Sequence, residues 1–244
     1  MAAKDQMWRR EDLSKRFLEG VRRAIPLADY QIRIILLLIG KTIPKAASFL
    51  DLGCGDGILG RAILSQYPKA RGVFLDFSPT MIEAARKKSP KNKKLSFFTQ
   101  DYGKPSWVNA IKGSGKFDVI VSGFSVHHQP DKRKREIYKE VFGLLNPGGL
   151  FLNLEHVSSP SPRLQRIFDE FFVDSLYSYH RRIGSGKTRG EIARDHYKSP
   201  LRKSNLLSPL DIQCSWLRKI GFKEVDCYLK VFELALFGGI RPGE

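Results

Sequence analysis

The stretch FLDLGCGDG, residues Phe49–Gly57, decides the fold. Its apolar half belongs to the run SFLDL from Ser48, which predicts a strand, and the run ILGRAILSQY from Ile58 predicts a helix. The turn between them carries Gly53, Gly55 and Gly57. Glycines let a backbone turn tightly and approach a ligand closely. A strand, a glycine turn and a helix in this order predict a βαβ unit with a ligand site at the carboxyl end of the strand.

Short apolar runs continue to alternate with helical stretches as far as Val157. Further strands are predicted at Gly72–Phe77, Leu95–Thr99, Phe117–Gly123 and Gly149–Val157. Helices are predicted at Pro79–Lys88, near Pro105–Ile111 and at Asp131–Leu145. Strands and helices interleaved at this spacing indicate an α/β fold with a doubly wound, Rossmann-like parallel sheet. The strands are apolar on both faces, as expected when helices cover both sides of the sheet.

Three segments flank or interrupt this alternation. Residues 1–45 predict an N-terminal helical cap, with one helix carrying Phe17 and Val21 and a second helix at Ala28–Thr42. An insertion at 158–207 begins with a predicted helix at 163–180 and continues as a polar stretch without a strong period. A helix at Pro209–Ile220 and two antiparallel strands close the main domain, 46–244.

Composition narrows the class of protein. The 244 residues include 42% hydrophobic and 11% aromatic residues, which are globular values. Three cysteines exclude a disulfide scaffold, and no His/Cys spacing suggests a metal site. The first residues lack the apolar run of a secretory signal, and the longest apolar stretch, Ile34–Ile39, is far short of the roughly 20 residues that span a bilayer. We therefore expect a cytoplasmic protein with no membrane contact; its oligomeric state stays open.

Acidic and aromatic side chains follow the next strands along the chain. Asp76 ends the second predicted strand, where a carboxylate can accept hydrogen bonds from both hydroxyls of a ribose. Asp101 and Tyr102 follow the third strand and suit an exocyclic amine and a purine ring. Because the carboxyl ends of parallel strands meet at one edge of the sheet, these residues predict a site for an adenosine-containing ligand.

A dinucleotide is the alternative ligand. Gly55, Gly57 and Gly60 satisfy the G-x-G-x-x-G pattern, but the first glycine of that fingerprint follows the strand directly, where Gly53 lies. In that register the third glycine position holds Ile58. A carboxylate at Asp51, the strand end, is also poorly placed beside a pyrophosphate and suits a cation such as a sulfonium.

At these residues the chain resembles the class I S-adenosylmethionine-dependent methyltransferases, most closely their small bacterial members. FLDLGCGDG resembles their first motif, LDFS and QDYG their ribose and adenine motifs, and FDVIVSGFSVHH and LLNPGGLFLNLEH their fourth- and fifth-strand motifs. The resemblance implies a seven-stranded sheet with an antiparallel last strand. It also implies that S-adenosylmethionine is bound by Asp51, Gly53, Cys54, Gly55, Asp76, Phe77, Met81, Asp101, Tyr102, Ser122 and Phe124.

Methyl transfer from a sulfonium is an in-line displacement, so positioning supplies much of the rate. A base is needed only when the acceptor must lose a proton. The candidates at the ends of the fourth and fifth strands are His127, His128, Glu155 and His156. Hydrogen bonding to the backbone or shaping of the cofactor pocket is the alternative role for these side chains.

A formal net charge of +17 suits an anionic acceptor. The cluster Arg86–Lys94 is predicted on the face opposite the site, whereas the insertion, basic from Arg181 to Lys203, is predicted to form a lid. Its expected acceptor contacts are Tyr179, Arg181 and Arg182. We therefore expect methyl transfer to a small, anionic molecule. The alternatives are RNA (tRNA) methylation through the basic rim, and a non-catalytic cofactor-binding or partner subunit.

Overall fold

A computed structural model describes residues 24–243. The strands are β1 (Ser48–Leu52), β2 (Arg71–Asp76), β3 (Leu95–Thr99), β4 (Phe117–Gly123), β5 (Leu145–His156), β6 (Lys223–Val231) and β7 (Leu234–Ile240). The helices are α1 (Ala28–Thr42), α2 (Ile58–Gln66), α3 (Pro79–Lys88), α4 (Trp107–Ala110), α5 (Asp131–Leu144), α6 (Pro162–Arg182), α7 (Arg189–Lys198), α8 (Pro200–Lys203) and α9 (Leu210–Ile220). The predicted helix with Phe17 and Val21 lies outside the described residues.

The strands form one seven-stranded sheet in the order β3-β2-β1-β4-β5-β7-β6. β1 to β5 pair in parallel, whereas β7 runs antiparallel to both β5 and β6. This confirms the predicted fold class, including the antiparallel last strand. The strand order reverses between β1 and β4, and the crevice beyond their carboxyl ends is where open α/β sheets bind ligands.

Alternate residues of the central strands pack against helices on opposite faces of the sheet. On one face, Leu50 and Leu52 join a cluster that includes Tyr138 of α5 and Leu217 of α9. On the other face, Phe49 joins a cluster with residues of α1, α2 and α3. Two covered faces explain why these strands read as continuously apolar in the sequence.

The insertion is more helical than its sequence suggests. The stretch after Arg182, which is polar and has no strong hydrophobic period, contains α7 and α8. A capping box begins α7, with Thr188 and Glu191 hydrogen-bonded reciprocally. Ile192 is the buried residue of this helix, so its hydrophobic period is too sparse to be recognised. Ion pairs from Arg189 to α6 supply part of the missing stabilisation.

Two element boundaries also differ from the prediction. β5 begins at Leu145 rather than Gly149, because the segment around Pro147 pairs with the end of the sheet through Gly148 and Arg241. The predicted helix at 105–111 is reduced to the single turn of α4. Across residues 24–243, no helix has both the length and the apolar character needed to cross a bilayer.

Candidate active site

The turn between β1 and α2 has three glycines in the left-handed region of backbone space. The φ angles are +66° at Gly53, +53° at Gly55 and +81° at Gly57. A Cβ at Gly53 would collide with the Ser125 side chain and lie 3.3 Å from the Tyr102 ring. A Cβ at Gly55 would instead point into open space. The turn therefore packs tightly on one side and leaves free volume for a ligand at Gly55.

Asp76, at the carboxyl end of β2, faces this turn. Its Oδ2 accepts a hydrogen bond from the Gly55 amide (2.9 Å), and its Oδ1 accepts one from the Ser78 amide (2.9 Å). Burial raises the pKa of the Asp76 carboxyl to about 6, against the opposing effect of these amides. Each carboxylate oxygen keeps a lone pair, so an ionised Asp76 can still accept two hydroxyl donors.

A buried network holds the loop after β3. The Tyr102 hydroxyl lies 2.5 Å from Ser125 Oγ, and the Tyr102 carbonyl accepts from Arg133 Nε (3.1 Å) and Nη2 (2.6 Å). Glu140 in turn accepts from Arg133 Nη2 (2.7 Å) and from Trp107 Nε1 (2.6 Å). Helix α5 thus fixes the loop that carries Asp101 into the crevice.

Most of the predicted cofactor residues line one cleft at this crevice: Gly53, Cys54, Gly55, Asp76, Phe77, Met81, Asp101, Tyr102 and Phe124. Asp51 and Ser122 are not among the lining residues. Asp51 is buried and its Oδ2 accepts from the Gly60 amide (2.8 Å), and Ser122 is fully buried in β4. Burial, together with Asp51, Asp76 and Asp56, raises the pKa of the Cys54 thiol, so this residue is a poor nucleophile.

The sequence analysis missed several lining residues: Asp56, Ser78, Gly123, Ser125, Gln129 and Ser204. All but Ser204 are adjacent to recognised motifs, and this adjacency is the sequence signal that could have identified them. Ser204 comes from the end of the insertion, and no local pattern places it beside Gly53.

Phe124 separates the cleft from a second cavity of about 730 Å³. This residue has a φ of +52°, which is strained for a side chain with a Cβ, and its amide donates to the Leu154 carbonyl (2.7 Å). Phe124 and His128 line both spaces. The second cavity is bounded by residues of α6, α7 and α8, and its apolar walls include Ile25, Phe168, Phe172, Leu176, Ile192, Leu207 and Leu234.

Two of the predicted catalytic histidines, the buried His127 and the partly buried His128, line the second cavity, and His128 also lines the cleft. His127 Nδ1 lies 3.0 Å from Glu155 Oε1, which also accepts from the Ser125 amide (3.1 Å). Burial raises the pKa of Glu155 to about 8 and lowers that of His127. Burial and the neighbouring His127 lower the pKa of His128 to about 3. Both imidazoles are therefore weak bases that stay neutral.

His156 makes a different pair on the cavity wall. Its Nε2 lies 2.5 Å from Oε2 of Glu233, and its Nδ1 lies 3.4 Å from the amide nitrogen of Asn205. Glu233 is 2% exposed and accepts a second hydrogen bond from Ser159 Oγ (2.5 Å). The sequence analysis missed Glu233, because it lies on the β6–β7 hairpin and no motif marks it.

A cationic side chain enters the cavity from α8. Arg202 Nη2 donates to Oδ2 of the buried Asp169 (2.7 Å), and Asp169 Oδ1 lies 3.5 Å from His196 Nε2. The second terminal nitrogen of Arg202, Nη1, is buried and has no hydrogen-bond partner among the residues that the structure describes. Arg202 is among the residues that line the cavity, so its guanidinium is the candidate contact there for an acidic group.

The predicted acceptor contacts lie elsewhere. Tyr179, Arg181 and Arg182 are at the end of α6 and are not among the residues that line the second cavity, and both arginines are exposed. Another basic residue of the insertion pairs with acids that do not line the cavity, since Arg189 contacts Glu170 (2.5 Å) and Asp174 (2.6 Å). The contact of these three residues with an acceptor stays a prediction. Within residues 24–243, no group of three or more His, Cys, Asp or Glu could hold a metal ion.

Comparison with known proteins agrees with this geometry. Residues 49–149 match a family model described as a methyltransferase domain. Trans-aconitate 2-methyltransferase of Methylobacterium radiotolerans is 31% identical over 222 residues, which cover 90% of this chain and 76% of that protein. Human N-acetylserotonin methyltransferase, solved in complex with S-adenosylmethionine, has a similar fold, with a TM-score of 0.62 at 15% identity over 98% of this chain and 58% of that one.

Other relatives match over a shorter part of their length. Malonyl-[acyl-carrier protein] O-methyltransferase 1 of Ilyobacter polytropus is 30% identical over 105 residues, which cover 43% of this chain and only 36% of that protein. The residues matched by the family model, 49–149, include the glycine turn, Asp76 and the loop after β3. On the fold, the family model and the relative matched along most of its length, the chain belongs to the class I S-adenosylmethionine-dependent methyltransferases.

Proposed function

We propose that this protein transfers a methyl group from S-adenosylmethionine to a small, anionic molecule bound in the second cavity. The observation that carries the proposal is the shared boundary of the two spaces at Phe124 and His128. A volume of about 730 Å³ lies in the range of small-molecule sites.

The residues of the cleft fit the cofactor. An ionised Asp76 offers lone pairs to the ribose hydroxyls, the free space at Gly55 admits the ligand close to the backbone, and Asp101 lies on the adenine side. When bound, S-adenosylmethionine supplies a methyl group on a cationic sulfur that leaves as a neutral thioether. The protein's own contribution is to hold the acceptor in line with that group and to exclude water from the reaction.

The acceptor that fits the second cavity has an apolar body and one acidic group. Phe168 and Phe172 are among the apolar walls, and the guanidinium of Arg202, another lining residue, can pair with a carboxylate or phosphate. Asp169 fixes the Arg202 guanidinium from the other side (2.7 Å). The name of the trans-aconitate relative also points to a small acid as acceptor.

The test measures transfer of a labelled methyl group to a panel of small carboxylic acids, with trans-aconitate included. We expect Arg202→Gln to raise the KM of an acid at least tenfold, the cost of about 1.4 kcal/mol for a lost charged hydrogen bond, with the Kd of S-adenosylhomocysteine unchanged. Arg189→Gln is the control, because Arg189 pairs with the exposed Glu170 and Asp174 outside the cavity. An equal effect of both substitutions would contradict the acid-binding role of Arg202.

RNA remains the alternative acceptor, because the surface charge is strongly positive. Methyl transfer to bulk tRNA that persists at high salt, with no transfer to small acids, would favour it over our proposal. Cofactor binding without transfer to either class would favour a non-catalytic subunit. We also propose that the protein acts in the cytoplasm.

A further inference from the structure

We infer that Glu233 and His156 form a carboxylate–imidazole pair that removes the proton of an acceptor hydroxyl, so that the substrate is a small hydroxy acid methylated on its hydroxyl oxygen. The inference rests on the proposed function and adds the acceptor atom and a positioning residue, Glu233, to it.

The hydrogen bonds around His156 fix which ring nitrogen carries the proton. Glu233 Oε2 lies 2.5 Å from Nε2 and is a hydrogen-bond acceptor. Nε2 therefore carries the ring proton and donates a hydrogen bond to Glu233. The Asn205 amide nitrogen is a donor and lies 3.4 Å from Nδ1, so Nδ1 carries the lone pair, and an acceptor hydroxyl would take the place of this long hydrogen bond. Asn205 and His156 both line the second cavity. A proton acceptor thus lies on the cavity wall, oriented by a buried carboxylate.

The other histidines are less suited to this role. His127 and His128 also line the second cavity, but burial lowers the pKa of both imidazoles, and Glu155, the partner of His127, has its own pKa raised to about 8 by burial. Glu233, in contrast, is ideally placed to stabilise an imidazolium, since its second oxygen is already held by Ser159 Oγ at 2.5 Å. In this pair, His156 has the role of the base in a catalytic triad, and Glu233 has the role of the carboxylate that orients the base.

The step balances in protons and charge. The acceptor O–H bond breaks and its proton passes to Nδ1 of His156, while the oxygen forms a bond to the methyl carbon. The bond from that carbon to sulfur breaks, and its electron pair stays on sulfur. The positive charge thus moves from sulfur to the His156 imidazolium, beside Glu233. A carboxylate acceptor, already ionised at neutral pH, would not need this base.

The substrate class follows from the groups that line the cavity. His156 supplies the proton acceptor and Arg202 the anion contact, and aromatic side chains such as Phe168 form part of the apolar walls. A hydroxyaryl carboxylic acid combines the three properties. The probes are therefore 3-hydroxybenzoate and 4-hydroxybenzoate, with benzoate and trans-aconitate as acids that lack an aryl hydroxyl.

Several titratable groups lie around His156 and contribute to the pH dependence of the reaction. Glu233 approaches from the β6–β7 hairpin, and the His127 ring lies 6.0 Å away on the segment after β4. His128 on that segment, Glu155 on β5 and His196 on α7 also interact electrostatically with His156.

The first experiment needs no acceptor. Nitrogen-15 NMR of the histidine side chains, with S-adenosylhomocysteine bound, reports which ring nitrogen is protonated. In the wild type we expect the proton of His156 on Nε2. In Glu233→Gln we expect this preference to be lost, and Glu233→Asp should restore part of it. The same tautomer in the wild type and in Glu233→Gln would overturn the pairing.

The second experiment measures kcat and KM for the hydroxybenzoates across the pH range. Glu233→Gln should lower kcat by about 100-fold with KM changed less than about threefold, and should move the acid limb of the profile to lower pH because the charge that stabilises the imidazolium is lost. His156→Gln should lower kcat at least as much. Asp174→Asn, an exposed residue of α6, is the control that should leave both parameters unchanged.

The results distinguish a failure of this inference from a failure of the proposed function. Transfer to trans-aconitate or benzoate but to neither hydroxybenzoate would overturn this inference and leave the proposed function standing. No transfer to any small acid would overturn both. An unchanged kcat and pH profile in Glu233→Gln would overturn the role of the pair even if the hydroxybenzoates are substrates.

Discussion

At the scale of single residues, two buried carboxylates at adjacent spaces have different environments. Asp76 is held by two backbone amides and its pKa is raised to about 6, whereas Glu155 receives one amide and an imidazole and its pKa is raised to about 8. Asp76 is therefore ionised at neutral pH, as an acceptor of ribose hydroxyls must be. Glu155 is largely protonated there, which fits a structural partner of His127 better than a catalytic base.

Cofactor binding should depend on the protonation of Asp76. As the pH falls through about 6, the carboxyl gains a proton and loses acceptor capacity, so the affinity for S-adenosylhomocysteine should fall. Since a group with this pKa is about nine-tenths protonated at pH 5, the Kd should be up to about tenfold higher there than at pH 7.5. Calorimetric titration with S-adenosylhomocysteine at pH 5 and pH 7.5 measures this change in Kd.

Asp76→Asn is the control for this pH effect. The amide should bind S-adenosylhomocysteine more weakly at all pH values and show no dependence between pH 5 and pH 7.5. The same slope in Asp76→Asn and in the wild type would show that another group is responsible.

At the scale of elements, the turn between β1 and α2 sets the shape of the cleft. Gly53→Ala should abolish measurable cofactor binding, because the new Cβ meets the Ser125 side chain at a φ of +66°. The strain should also lower the free energy of unfolding by about 1 kcal/mol or more. Titration with S-adenosylhomocysteine and urea unfolding measure the two effects.

Gly113→Ala is the matched control, since a Cβ at that position meets no atom within 4 Å. We expect it to bind S-adenosylhomocysteine like the wild type. Full cofactor affinity in Gly53→Ala would contradict the close packing of Gly53 against Ser125 and Tyr102.

At the scale of the whole molecule, a buried lysine joins segments distant in sequence. Lys134 of α5 is fully buried, and its Nζ donates to the Leu206 carbonyl, to Ser208 Oγ and to Asp131 Oδ1 (3.2 Å). The Leu206 amide in turn donates to the His127 carbonyl (2.9 Å). Lys134 therefore holds the end of the insertion against the histidine segment that separates the two spaces.

Lys134→Met should release this segment, because it leaves buried acceptors without a donor. We expect faster hydrogen exchange at residues 204–208 and a loss of about 2 kcal/mol in the free energy of unfolding. Lys132→Met, on the exposed side of α5, should change neither. Unaltered exchange at 204–208 in Lys134→Met would show that the segment is held by other contacts.

The cleft was largely predictable, because its residues are local. A glycine turn follows β1, Asp76 ends β2 and Asp101 follows β3, so strand periodicity and the rule for the carboxyl ends of parallel strands place them together. The second cavity was not predictable in the same way. Its walls come from α6, α7 and α8, and its charged groups include Arg202 and Glu233, which are supplied by a short helix and a hairpin.

The sequence by itself determined the α/β sheet, the position of the cleft and the family, because each depends on short-range patterns repeated along the chain. Only the tertiary structure decided that Phe124 and His128 lie between two neighbouring spaces, that His156 pairs with Glu233, and that Arg202 rather than Arg181 lines the cavity. These relations depend on contacts between segments far apart in the chain. Such contacts form when apolar faces are buried, and the local periodicity of the sequence does not predict them.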